Sequence, residues 1–117
     1  MHWQEMYSKE IIMIKLKELI NEQVKPGDAF KAAGGDVDVI IDKFMGGKWK
    51  FVTFNMNRGY VSGIGVMSKP HLRQDLKIKL SSSHKSKIKK MLKNPEDIHY
   101  VENDDLGIKV KDILRVI

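Results

Sequence analysis

Lys85, Lys87, Lys89, Lys90 and Lys93 place five ammonium groups within nine residues, and the chemistry such a row performs is the gripping of phosphate oxygens. Nine basic residues fall between Lys69 and Lys93, opposed by Asp75 alone, so this segment carries +8 in a chain whose net charge is +6. Residues 1–34, 35–68 and 94–117 carry 0, +1 and −3. A field of one sign steers polyanions and releases counterions from them on contact. Repulsion between close lysines on one helix costs roughly 0.2–0.5 kcal/mol per pair, a cost that a bound polyanion offsets. The same run also reads as a solvated, solubilising face or as a surface for an acidic protein.

Other residues extend or compete with this reading. Lys77 and Lys79 point to the polar side of a preceding strand, and with Arg73 they belong to the same basic stretch. Ser81, Ser82, Ser83 and Ser86 sit where a helix leaves its first backbone amides free, which suits either ordinary capping or a phosphate cradle. Trp49, Phe51, Phe54 and Tyr60 lie on adjacent strands beside Arg58 and Lys50. They are either core or a stacking platform for bases, with Trp49 and Tyr60 the candidates for exposure. Arg58, Arg73 and Arg115 are the only arginines, so the bidentate base reading that arginine provides is scarce and shape-led contact is expected.

Catalytic and metal chemistry find weaker support. His71, His84 and His99 are isolated, and their spacing does not pair two imidazoles for acid–base work. Asp36, Asp38 and Asp42 alternate with apolar residues as the polar face of a strand, and Asn103-Asp104-Asp105 lacks the Gly and Glu positions of a calcium loop. Gly63-Ile64-Gly65 lacks the third glycine of a dinucleotide fingerprint, and the chain contains no Gly-Lys-Ser/Thr phosphate loop. With no cysteine, thiolate zinc sites, disulfides and a cysteine nucleophile are excluded. No metal or cofactor is expected.

The elements that must position these residues follow from periodicity. Met6, Ile12, Met13, Leu16, Leu19, Ile20 and Val24 recur at helical spacing, which predicts a helix over about 9–23, ended by Pro26-Gly27. Residues 1–12 carry weak signals and read as a flexible arm. Val37, Val39 and Ile41 alternate with the three aspartates in a strand. Gly46-Gly47 makes a hairpin turn, and the apolar phase of the next strand changes near Phe51, which predicts a bulge. Asn57-Arg58-Gly59 is a second turn, and Tyr60 to Ser68 a third strand with Gly63 and Gly65 on the face of Val61 and Met67. A fourth strand is expected over 75–80, and a helix over 84–93 with Ile88, Met91 and Leu92 as its apolar stripe, stopped by Asn94-Pro95. Two closing strands are expected over 98–102 and 107–111.

At 117 residues and 42% hydrophobic the chain is one domain with a real core. No apolar run approaches the length of a membrane span or a signal-peptide core, so a soluble, cytoplasmic protein is expected.

The stretch from Val24 to Met67 resembles a small Src-homology-three-like β-barrel, the class that includes Tudor and KOW modules. The resemblance rests on the Pro26-Gly27-Asp28 turn, the double-glycine hairpin, the Asn57-Arg58-Gly59 turn and the closing Val110-Lys111-Asp112-Ile113. It implies a 3₁₀ turn before the last strand, at Lys111-Asp112, and a class in which many modules bind nucleic acid or peptide tails.

The expected fold is therefore α+β: an N-terminal helix, a small, strongly bent antiparallel meander or barrel, and one lysine-rich helix inserted before the closing strands. The expected function is non-enzymatic nucleic-acid binding, to DNA or RNA. Its contacts come from residues 69–93, with Arg73, Lys77, Lys79, Lys85, Lys87, Lys89, Lys90 and Lys93 on phosphates and Arg58, Trp49 and Tyr60 as an accessory surface. The alternative is a small protein-interaction or inhibitor module, of the kind frequent in phages and mobile elements, that covers an acidic or nucleic-acid-binding surface of another protein.

Overall fold

The computed structural model describes residues 24–117, and the helix expected over 9–23 lies outside them. Alternation and turn chemistry build one antiparallel sheet from β1 (Ala29–Lys31), β2 (Asp36–Phe44), β3 (Lys48–Asn55), β4 (Tyr60–Met67) and β5 (Lys77–Ile78), in the order β4-β3-β2-β1-β5. Three helices follow: α1 (Ser82–Met91), α2 (Pro95–Glu102) and α3 (Val110–Val116). The class is α+β. Among the described residues no helix is long and apolar enough to cross a membrane.

The hairpin between β2 and β3 turns at Gly46 and Gly47, whose φ values of 74° and 72° are strained for any side chain-bearing residue. At Gly27, φ is 95° and an added Cβ would collide with the Val116 carbonyl. That glycine lets the end of α3 pack on the turn before β1, and its N–H donates to the Ile40 carbonyl at 2.8 Å.

Two bulges set which side chains face the helices. Ile40 pairs with Phe51 and Asp42 with Lys50, leaving Ile41 as the extra residue. The irregularity expected near Phe51 thus lies opposite it, on β2. A second shift, between the pairs Thr53–Gly63 and Phe54–Val61, leaves Ser62 extra on β4. Val61 therefore turns to the helix side with Phe54, contrary to the expectation that it shares a face with Gly63 and Gly65. Those glycines sit on the opposite face across from Thr53 and Phe51. A Cβ on Gly65 would come within 3.0 Å of the Phe51 ring, so its absence admits the aromatic ring.

Ala29, Val37, Val39, Ile41, Val52, Phe54 and Val61 form the sheet side of the main core, closed by Leu80, Ile88, Met91, Leu92, Val101, Ile108 and Ile113. Phe30 and Ile40 are fully buried and, by strand alternation, point to the other side. The 3₁₀ segment Pro70–Leu76 covers them there, with Pro70 buried and the Arg73 guanidinium 5.6 Å from the Phe30 ring centre.

Three sequence expectations are corrected. The fourth strand shrinks to Lys77–Ile78 because Pro70, which has no N–H, opens a 3₁₀ turn that runs to Leu76. This turn precedes the last strand, at 70–76 rather than at Lys111-Asp112. The two closing strands are absent: 98–102 is the end of α2, and 107–111 leads into α3, so no barrel is closed there. Asn94-Pro95 follows the end of α1 as expected, and Pro95 also occupies the first turn of α2, where its missing N–H costs nothing, while Asn94 Oδ1 caps that helix by accepting from Glu96 N–H at 3.0 Å. At the start of α3, Glu102 Oε2 accepts from Val110 N–H at 2.9 Å and Asp112 Oδ2 from Lys109 N–H at 3.0 Å.

Candidate nucleic-acid interface

The lysine-rich segment becomes a helix because both its ends and its stripe are satisfied. Ser81 Oγ accepts from His84 N–H at 3.1 Å, and Ser81 N–H donates to His84 Nδ1 at 3.2 Å. Ser81 and His84 are thus a reciprocal cap for the first turn. Ile88 and Met91 are buried along one side of α1, with Leu92 just beyond its end. A 100° step per residue then separates the lysines: Lys85 flanks one edge of the apolar stripe, Lys87 the other, and Lys89 and Lys90 lie across the solvent side, with Lys93 in the turn that follows. Lys89 and Lys90 also fall in the last turn, where the helix dipole favours positive charge.

Lys87, Lys90 and Lys93 meet Arg58 in one groove of about 770 Å³, between the β3–β4 hairpin and the C-terminal half of α1. Met56, Met91 and Pro95 supply its apolar lining, Asn57 and Asn94 its amides, and no carboxylate lines it. The hairpin is held in shape by Asn55, whose Oδ1 accepts from Asn57 N–H at 3.1 Å and Arg58 N–H at 2.8 Å. The backbone under Arg58 is thereby fixed while its side chain stays exposed. Asp97, the buried acid of α2, turns inward, and its Oδ1 accepts from Val61 N–H at 3.2 Å.

Lys85 leads to a different cleft. Of about 630 Å³, it also takes in Lys25, Lys77 and Lys79, over Ile78, Leu80 and Val116. Here a carboxylate is present: Asp28 Oδ2 lies 3.5 Å from Lys77 Nζ and accepts from Lys25 N–H at 3.0 Å. The basic run is therefore divided between two clefts, one of them partly neutralised. Lys89 is exposed and lines neither.

The remaining site candidates are placed elsewhere. Arg73 is ion-paired with the buried Asp38, Nη1 to Oδ2 at 2.9 Å, and its Nη2 donates to the Lys31 carbonyl at 3.1 Å. Its guanidinium belongs to the fold. Trp49 pairs with Met67 and Tyr60 with Asn55, at opposite ends of the β3–β4 ladder; at ~3.4 Å per residue they stand about 20 Å apart. Trp49 is half-buried with Lys43 Nζ 5.5 Å from its ring, and Tyr60 is 39% exposed. Phe54 is fully buried and Phe51 lies over Gly65, so the four aromatic residues assemble no shared platform. His71 lies in the 3₁₀ segment and His99 in α2, where its Nδ1 is 2.9 Å from Asn103 Nδ2. Asp38 also accepts from Thr53 Oγ1 at 2.7 Å, and among the described residues no group of three or more His, Asp or Glu is arranged to hold a metal ion.

Sequence reasoning missed Met56, Asn57, Asn94 and Pro95 as groove residues, and Lys25 as a neighbour of Lys85. The local signals for the groove were the dense lysines of α1 and the turn that carries an arginine at its tip. Comparison of the chain with protein-family models, with curated proteins and with solved structures returns no match.

Proposed function

We propose that this chain is a non-enzymatic, basic nucleic-acid-binding domain that holds phosphates with Arg58, Lys87, Lys90 and Lys93. The observation that carries the reading is their convergence: four cations from two elements far apart in sequence line one groove that no acid enters. Such a groove concentrates counterions, and their release on binding a polyanion drives association. The interface is narrower than residues 69–93, since Arg73 is ion-paired within the fold and Lys77 faces Asp28.

A protein-interaction module is the second reading, favoured by β4. Among the described residues this eight-residue strand ends the sheet, and beyond Val61, whose N–H donates to Asp97, an end strand is a template for adding another.

Anisotropy titration of labelled oligonucleotides at several salt concentrations tests the proposal. Four phosphate contacts give a slope of log K against log salt of about −2.8 on a single strand or about −3.6 on a duplex. A flat salt dependence, or no binding to any oligonucleotide at 50 mM salt, would reject it.

A further inference from the structure

We infer that the groove takes an unpaired strand, single-stranded DNA or RNA, rather than a duplex. This rests on the nucleic-acid reading above and adds what the groove's floor selects. Cations alone do not discriminate, because every phosphate backbone offers them the same charge. The floor does. Pro95 is exposed, Met56 is half-buried with its inner side against the core, and Met91, 3% exposed, closes the bottom between them. In a duplex the base faces are buried against one another and only edges reach a protein. An unpaired strand can instead turn a base onto an apolar surface.

Thioethers are polarisable and favour contact with aromatic rings, and the planar guanidinium of Arg58 stacks on a base as well as pairing with phosphate. Asn57 and Asn94 bring side-chain amides to the same walls, the Asn94 Oδ1 being engaged as the cap of α2. Lys87 and Lys90 stand three residues apart on α1, ~4.5 Å along its axis, and Lys93 follows in the turn just past the helix end. The strand runs along these three cations with its bases toward the hairpin. An acidic peptide satisfies the lysines but leaves the floor and the guanidinium plane without a flat partner.

The test is anisotropy of the full chain with four labelled probes: a 12-nucleotide oligo(dT), a 12-nucleotide oligo(U), a 12-base-pair duplex and a polyglutamate peptide. One base stacked in the groove makes a single strand bind about tenfold tighter than the duplex, and the two single strands report which sugar is preferred. Arg58→Lys keeps the charge and removes the plane, while Met56→Ser removes the thioether. Each is expected to bring the ratio of single-strand to duplex affinity toward one, with circular dichroism confirming that the variant is folded. Duplex affinity equal to or above that of both single strands, or a ratio that neither variant changes, overturns this inference and leaves the nucleic-acid reading standing. Binding to the peptide alone, or to no nucleic acid, overturns both.

Discussion

Lys87→Glu combined with Lys90→Glu is expected to lower nucleic-acid affinity by about 100-fold or more near 0.1 M salt. Each lysine that leaves a phosphate forfeits one counterion release, and each glutamate that replaces it adds repulsion toward the same strand. Because counterion release scales with the number of contacts, losing two of four also halves the slope of log K against log salt. Both residues are exposed on α1, and Lys90 lies in its last turn, where the helix dipole disfavours a glutamate, so stability should change by no more than about 1 kcal/mol. Lys89→Glu is the control matched to a single Lys90→Glu: it alters the same helix and shifts the net charge equally, yet Lys89 lines neither cleft. Equal losses from Lys89→Glu and from a single Lys90→Glu would mean that overall charge, and not the groove, drives binding.

Arg73 should show the opposite pattern, with a large effect on stability and little on binding. Its partner Asp38 is 6% exposed and accepts both from Arg73 Nη1 at 2.9 Å and from Thr53 Oγ1 at 2.7 Å. Asp38→Ala strands the guanidinium over Phe30 and leaves a hydroxyl without its acceptor, at a cost of about 2–4 kcal/mol. Melting should fall by about 10 °C or more in a domain of this size. Arg73→Ala removes the cation, its bond to the Lys31 carbonyl and its packing on Phe30, for about 1–3 kcal/mol. Below the melting transition Arg73→Ala should bind oligonucleotides within about twofold of the parent, since surface charge away from an interface contributes little. A loss of affinity as large as that of Lys90→Ala would place Arg73 on the ligand.

These contrasts show what local sequence could and could not say. The alternation of Asp36, Asp38 and Asp42 with Val37, Val39 and Ile41 made β2 legible, and the two glycine-bearing turns fixed β3 as its neighbour and β4 as the neighbour of β3. The serine triplet and the Ile88, Met91, Leu92 stripe made α1 legible too. Strand alternation also assigned Asp38 to a polar face, but its burial depends on Arg73, thirty-five residues further on, which no local pattern reveals. Residues 98–111 were misread because Asn94-Pro95 both ends one helix and begins the next, and because the three-residue spacing of Ile98 and Val101 is helical where strands were expected.

The groove was legible in part. The density of lysines marked α1, and Arg58 stood at the tip of a recognisable turn. Which lysines face Arg58 depended on the helix phase relative to the core, and that phase sends Lys85 and Lys87 to opposite edges of the buried stripe. The separation of Trp49 from Tyr60 depended on strand register, set by turns and bulges and not by residue type.

Amide chemical-shift mapping of the ¹⁵N-labelled full chain, titrated with a 12-nucleotide single strand, tests the groove most directly. The largest shifts should cluster in the hairpin at 56–59 and along 87–94, and move together as the strand saturates. Shifts confined to the cleft of Lys25, Lys79 and Lys85, or to the outer edge of β4, with the hairpin and the end of α1 silent, would contradict the account.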